Sequence, residues 1–326
     1  MKYKFWAILL CVSICLGMTG CGNEEPEKTS SGEKAVSVSN SNLKPESSVV
    51  AVGHTTVTYN EYRTYYYFMK NQYEGTLGEG VWQYSKAIEG NKSIGQEAIE
   101  SVLRLIIQVK VICKEAAIQK VTLQTDEKEE ADYNAKRVYE SLAEKVRADN
   151  GIDLKVLTNM FEENKLAQKM YNVQIGKVNA DLSADQIRAA RVQLLYRRAN
   201  KDNKAEVKAQ IEQIRQNMNA SGTNFYSTAK TNSDQDEVEC LIGNSDERKN
   251  LAKAVLELKQ GQISNVIEEA DGFYIACCMQ QDCAEIQQEY RNEVVLKKQI
   301  EAFQKEYKKW SDKFEVKVSK ALLAQK

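Results

Sequence analysis

Few residues of this chain are equipped for chemistry. Among 326 residues there is one histidine, His54, and it follows Gly53 between two runs of β-branched residues. A Ser-His-Asp relay would have to be built on that turn, beside a polar N-terminal stretch, which is a poor place for a buried general base. Of eight cysteines, Cys11, Cys15 and Cys21 crowd the N-terminus, leaving Cys113, Cys240, Cys277, Cys278 and Cys283. None of these forms a Cys-x-x-Cys pair, and adjacent cysteines on a strand point to opposite faces. They read as small apolar filling, with a disulfide from Cys240 to Cys277 or Cys278 as the other use left open. There is no phosphate loop and no dinucleotide fingerprint. A formal net charge of −1 provides no basic field for nucleic acid. The chain is therefore expected to work without metal or other cofactor.

One piece of covalent chemistry is legible at the start. "MKYKFWAILLCVSICLGMTGCGN" has a basic front and an apolar run from Phe5 to Met18, then small residues before a cysteine. The run is short for a bilayer span and reads as a secretion signal over residues 1–20. Met18-Thr19-Gly20-Cys21 resembles the lipobox of bacterial lipoproteins. That implies lipidation at Cys21 and anchoring at the extracytoplasmic face of a bacterial cell membrane. Two or three acyl chains, at about 0.8 kcal/mol per buried methylene, make a durable anchor. Residues 21–48 are rich in Ser, Glu, Lys and Asn and are expected to form a flexible tether. Both prolines of the chain, Pro26 and Pro45, fall there, so the remainder is free to form long helices.

Positioning elements follow from periodicity. "VVAVGHTTVTYNEYRTYYYFMKNQY" predicts strand, turn, strand, then a helix N-capped by Asn60 and carrying Tyr62, Tyr65, Tyr66, Phe68 and Met69. Helices are predicted over 94–119, over 126–149 with a stop at Asn150-Gly151, and from Asp153 to Tyr171 with Leu154, Leu157, Phe161, Leu166 and Met170 inward. Between them, Ile99, Val102, Ile106, Val109 and Ile112 mark a central buried face. The middle of the chain then reads β-α-α-α-β-β: "RAARVQLLYRR", three helices, "QISNVI", and "GFYIACC" alternating after the Gly272 turn. From Ala284 a long apolar stripe returns to helix. "KFEVKVSK" alternates like a strand and is expected to pair with the strands at Val49–Val57.

Three blocks carry a resemblance. "VVAVGHTTVTYNEY", "NGIDLKVLTNMFEENKLAQKMY" and the order "RVQLLY", "GTNFYSTAKTNSD", "LKQGQISNVIEEADGFYIA" are similar to the parvulin-type foldase lipoproteins and chaperones of the PrsA and SurA kind. The resemblance implies an α+β protein. A mostly helical, chaperone-like domain is built from both termini (49–180 and 284–326), with a parvulin-like domain inserted at 181–283. Parvulin-like isomerases twist an X-Pro amide in an apolar cup beside two histidines and a Cys or Asp, against an uncatalysed barrier of about 18–20 kcal/mol. In this chain the histidine positions fall on Gln193 and Tyr274, and the Cys/Asp position falls on Gln235, or on Asp236 with a shifted gap. Leu241 and Leu251 occupy cup positions. Gln193 and Tyr274 retain side chains able to hydrogen-bond each other or a peptide carbonyl.

The expected function is that of a membrane-anchored foldase or chaperone for unfolded or newly secreted polypeptides, with isomerase activity weak or lost. Tyr62, Tyr65, Tyr66 and Trp82 are candidate gripping residues in a crevice between domains. The alternatives are an active isomerase with a rearranged site, or a lipoprotein docking one envelope partner. The sequence specifies no oligomeric state.

Overall fold

The computed structural model describes residues 43–83, 94–221 and 224–323. The signal segment, Cys21 and the tether up to Asn42 lie outside them. The chain divides into two compact units, Met1–Val178 with Ile300–Lys326, and Asn179–Gln299.

In the first unit, β1 (Ser48–Val52) pairs antiparallel with β2 (Thr55–Thr58) on one side and with β7 (Val316–Val318) on the other. The C-terminal strand thus returns to the first one, as its alternation predicts. A short helix, α10 (Lys320–Leu323), follows and buries Leu322. Helix α1 (Tyr59–Leu77) starts two residues earlier than expected. Thr58, not Asn60, is its N-cap, accepting from the Glu61 amide at 3.2 Å, while Asn60 donates instead to Asp153 at 3.0 Å. Helix α2 (Ile94–Ile118) buries Val102, Ile106, Val109 and Ile112 completely, the central face that its spacing predicts.

The single helix expected over 126–149 is two, α3 (Thr125–Ser141) and α4 (Glu144–Asn150). Leu142 between them is extended, with φ −90° and ψ 133°, and α4 buries no residue. Helix α5 (Leu154–Ile175) is capped by Asp153, which accepts from the Val156 amide at 2.8 Å. Leu154, expected inward, is exposed because it stands in the first turn, ahead of the face carrying Leu157 and Phe161.

A charged residue lies among these helices. Lys110 of α2 is 6% exposed and holds Glu61 of α1 at 2.7 Å and Glu163 of α5 at 2.6 Å. Burial alone would lower the Lys110 pKa, but the two carboxylates outweigh it and hold the ammonium above its ordinary range. Nearby, Asn164 donates to the Tyr65 hydroxyl at 3.1 Å and to the Met160 carbonyl at 2.7 Å.

The second unit is a four-stranded antiparallel sheet with helices on both faces. Its elements are β3 (Ala189–Arg198), α6 (Lys204–Ser221), α7 (Phe225–Asn232), β4 (Glu239–Gly243), α8 (Lys249–Glu257), β5 (Ile267–Glu269), β6 (Gly272–Gln280) and α9 (Ala284–Ser311). Strand order is β4-β3-β6-β5. The order β-α-α-α-β-β is therefore corrected by one strand, β4, between α7 and α8. The strand expected at "QISNVI" shrinks to an isolated bridge from Ile263 to Cys277, and β5 proper starts at Ile267. Helix α9 belongs to the second unit as far as Gln299 and to the first from Ile300, where Phe303 and Trp310 are buried.

Candidate functional site

The sheet of the second unit decides which side chains can meet. Residues directly opposite in an antiparallel pair share a face, and residues an odd number apart along a strand do not. On β3 and β6 the opposed pairs are Gln193–Cys277 and Tyr196–Tyr274. Val192, Leu194, Tyr196, Tyr274, Ala276 and Cys278 form one apolar face, packed under Leu251, Ala252 and Val255 of α8. Leu195, Phe273, Ile275 and Cys277 form the other, packed under Val207 and Ile211 of α6 and Phe225 of α7.

Gln193 and Tyr274 consequently lie on opposite faces, and no hydrogen bond joins them. Gln193 donates to Glu239 of β4 at 3.0 Å. Tyr274 stacks on Tyr196, ring centres 4.7 Å apart, and donates its hydroxyl to Asp271 at 2.6 Å. Shifting the correspondence by one residue would bring Leu194 to the face of Tyr274, which is apolar. Gln235 donates to the Glu237 carbonyl at 2.7 Å, and the Asp236 carbonyl accepts from Lys230 at 2.7 Å, so neither joins a network with Tyr274. The two cup leucines also separate. Leu251 of α8 is fully buried against the Tyr274 face of the sheet, and Leu241 packs with Ile286 and Tyr290 of α9.

What does gather around Tyr274 is a cleft of about 460 Å³, lined among others by Leu241, Asp246, Arg248, Asp271, Tyr290 and Glu293. Local chain geometry builds it. Ala270 and Asp271 make a two-residue turn between β5 and β6, and Gly272 there has φ +152°; a Cβ would come within 2.2 Å of the Arg197 carbonyl. At the end of β4 the ring of Tyr290 presses on Gly243, where a Cβ would sit 2.7 Å from the ring and 2.3 Å from the Arg188 carbonyl. The Arg248 guanidinium is gripped by Asp246 through two bonds of 2.9 and 2.8 Å and lies 5.4 Å from the Tyr274 ring centre.

Burial would raise the Asp246 pKa, but the Arg248 bonds more than offset it and hold the carboxyl below its ordinary range. Burial and the bond to Asp271 push the Tyr274 phenol well above the tyrosine range, so it is a neutral donor. Burial, with Asp246 adding to it, takes the Tyr290 phenol up to about 12. Asp246, Arg248, Asp271, Tyr290 and Glu293 were not singled out from the sequence. Asp-x-Arg ahead of a helix was the only local signal among them.

The aromatic candidates sit in the first unit. Tyr62 and Tyr65 are 4% and 1% exposed, so both are core residues rather than a gripping surface. Tyr66 and Trp82 are half-buried. Tyr59, Tyr62 and Tyr66 form a stacked series at 6.2 and 6.1 Å, and Trp82 lies on Tyr73 while donating to Glu74 at 2.7 Å.

All five described cysteines are free. Val192 of β3 stands between Cys240 and Cys278, which puts them about two strand spacings, roughly 10 Å, apart, too far for a disulfide. Cys277 is on the opposite face. Burial takes the Cys113 and Cys240 thiols up to about 12 and about 11, which leaves them protonated and unreactive near neutrality. No cluster able to hold a metal ion occurs among the described residues.

Residues 191–280 match the rotamase family, described as a PPIC-type PPIASE domain. No curated protein matches the chain. Among solved structures, the peptidylprolyl isomerase PrsA of Bacillus anthracis aligns at 17% identity over 63% of this chain and 97% of its own, with a TM-score of 0.37. A Campylobacter jejuni structure, titled for PEB4 and Cj1289 as SurA-like chaperones, aligns at 11% over 84% and 99%, TM-score 0.31. The foldase PrsA of Streptococcus pneumoniae aligns at 17% over 85% and 97%, TM-score 0.27. The weight rests on the domain match, which coincides with the sheet from β3 to β6: residues 191–280 of this chain match the PPIC-type PPIase domain.

Proposed function

We propose that this protein is an extracytoplasmic foldase or chaperone. It binds unfolded or newly secreted polypeptides, is anchored through lipid on Cys21, and has little or no prolyl isomerase activity. The carrying observation is that Gln193 and Tyr274, where the resemblance puts the family's histidines, lie on opposite faces of the sheet in the region that matches the PPIC-type domain. The unit contains no histidine at all. An isomerase needs its polar groups convergent on one twisted amide; here the residue opposite Tyr274 on β3 is Tyr196, and Gln193 is on the other face. Polypeptide binding needs no such convergence, only reachable apolar surface, to which the half-buried Tyr66 and Trp82 contribute. The anchor is supported by Gly20-Cys21 after the apolar run. Among the described residues, no helix is long and apolar enough to cross a membrane.

The test uses residues 48–326 with a denatured protein whose refolding has no slow proline step. Suppressed aggregation at stoichiometric amounts is the expected result. Unchanged aggregation, with tight capture of a single envelope protein, would replace the chaperone with a docking lipoprotein.

A further inference from the structure

Helix α4 is fastened to the first unit differently from its neighbours. Helices α3 and α5 bury an apolar stripe, whereas none of the seven residues of α4 is buried. The core holds the chain on either side of it: Leu142 packs against the core, and Ile152, 4% exposed, belongs to it. A hollow of about 360 Å³ lies between α4 and the starts of α1 and α5. It is lined by Glu144 and Arg147 on one side and by Asn60, Tyr139, Ile152 and Asp153 on the other. Two arginines hold α4 across it. Arg63 of α1 donates to the Asp149 carbonyl. The Arg147 guanidinium lies 4.2 Å from the centre of the Tyr139 ring and donates to the Tyr139 carbonyl at 3.4 Å. The other side-chain bonds of α4 stay inside the helix, from Lys145 to Asp149 and from Asn150 to the Val146 carbonyl, both at 2.9 Å.

A helix of seven residues is too short to persist alone in water, so α4 depends on those holds. They are a cation over a ring and hydrogen bonds near the surface, contacts for which water competes. Both ends of α4 are built as joints. Leu142 and Ala143 leave the helical region, with ψ 133° and 146°. Gly151 has φ +64°, and a Cβ there would overlap the Asn60 Oδ1, so only glycine fits. We propose that α4 is a strap. It detaches as one piece between these joints while α3, α5 and the core stay folded, and its opening widens the hollow into a groove along Tyr139 and Ile152. The first unit thus carries a conformational device of its own, whether or not the protein holds client chains.

The experiment is native-state hydrogen exchange, followed by mass spectrometry on the full chain at rising but sub-denaturing denaturant, in wild type, Arg63→Ala and Arg147→Ala. Amides of 144–150 should be protected by about 100-fold or less, with no dependence on denaturant, because a local opening exposes little surface. Amides at the centre of α2 should be protected at least about 1,000-fold more and should lose protection as denaturant rises, as global opening requires. Each substitution removes one hold and should speed exchange of 144–150 by roughly fivefold, leaving α2 unchanged. Exchange of 144–150 in step with α2, or in step with α3 and α5, overturns the proposal, because α4 would then open only with the body of the unit. Fast exchange that neither substitution alters overturns it as well, because the two arginines would not be what closes the strap.

Discussion

The two units handle buried and half-buried charge in opposite ways. In the first, Lys110 is enclosed and both of its carboxylates come from other helices, so α1, α2 and α5 are joined through one ammonium. The buried Asn164 donates to Tyr65 and to the Met160 carbonyl, while its Oδ1 has no partner among the described residues. In the second, the half-buried Arg248 is held by Asp246 of its own loop at 2.8 Å, so the pair joins no separate elements. Paired charge inside helices reports on architecture. A pair closed within one loop fixes only that loop. The tyrosines do not share that contrast: Tyr65 and Tyr274 are both buried, at 1% and 2% exposure, the first bonded to Asn164 and the second to Asp271.

The largest expected effect is on the enclosed ammonium. Lys110→Met leaves two carboxylates facing a buried site and should destabilise the first unit by about 3 kcal/mol. Trp82 and Trp310 both lie in that unit and the second has no tryptophan, so tryptophan fluorescence in a denaturant titration reads it selectively. A change under about 1 kcal/mol would mean that the pairing is incidental. The same residue sets a pH dependence. Because its folded pKa is raised, its contribution is complete below the ordinary lysine value of about 10.4 and is lost as pH climbs through the folded one. Wild type should lose stability there, and Lys110→Met should lack that loss.

Next is Gly243→Val, which forces a side chain against the Tyr290 ring and the Arg188 carbonyl. It should destabilise the second unit by about 2 kcal/mol, seen by hydrogen exchange across β3 and β4, with the tryptophan transition unmoved. Asp246 supplies the acid-side counterpart. Its folded pKa is depressed, so its contribution is present above the usual aspartate value of about 3.9 and is lost as pH falls through the folded one. Asp246→Asn should flatten the acid unfolding of the second unit and leave that of the first. Smallest is Tyr274→Phe, which removes one bond to a carboxylate and should cost about 1 kcal/mol.

Much of the framework was legible in the sequence. The α2 stripe, the Asp153 cap and the return of "KFEVKVSK" to β1 all rest on local pattern, and local pattern is what a sequence displays. The break at Leu142 was not, because Leu142 continues the apolar stripe and only its backbone leaves the helix. Strand β4 was hidden because "ECLIG" is short and mixed in polarity. Alternation within β3 and β6 was plain, yet their mutual register was not, and register alone puts Gln193 and Tyr274 on different faces. The polar residues of the cleft come from a loop, a turn and a helix some 50 residues apart at the extremes, and no spacing rule links them.

The central claim is that this parvulin-type domain holds chains rather than turning their prolyl bonds. The most direct measurement is cis/trans isomerisation of a panel of X-Pro peptides by residues 48–326, across a range of residues before proline. Rates equal to the uncatalysed background for every peptide, in wild type and in Gln193→Ala and Tyr274→Phe alike, are the predicted result. Catalysis above background that either substitution abolishes would contradict it, and would show that one of those two residues, each on its own face of the sheet, works at a twisted amide.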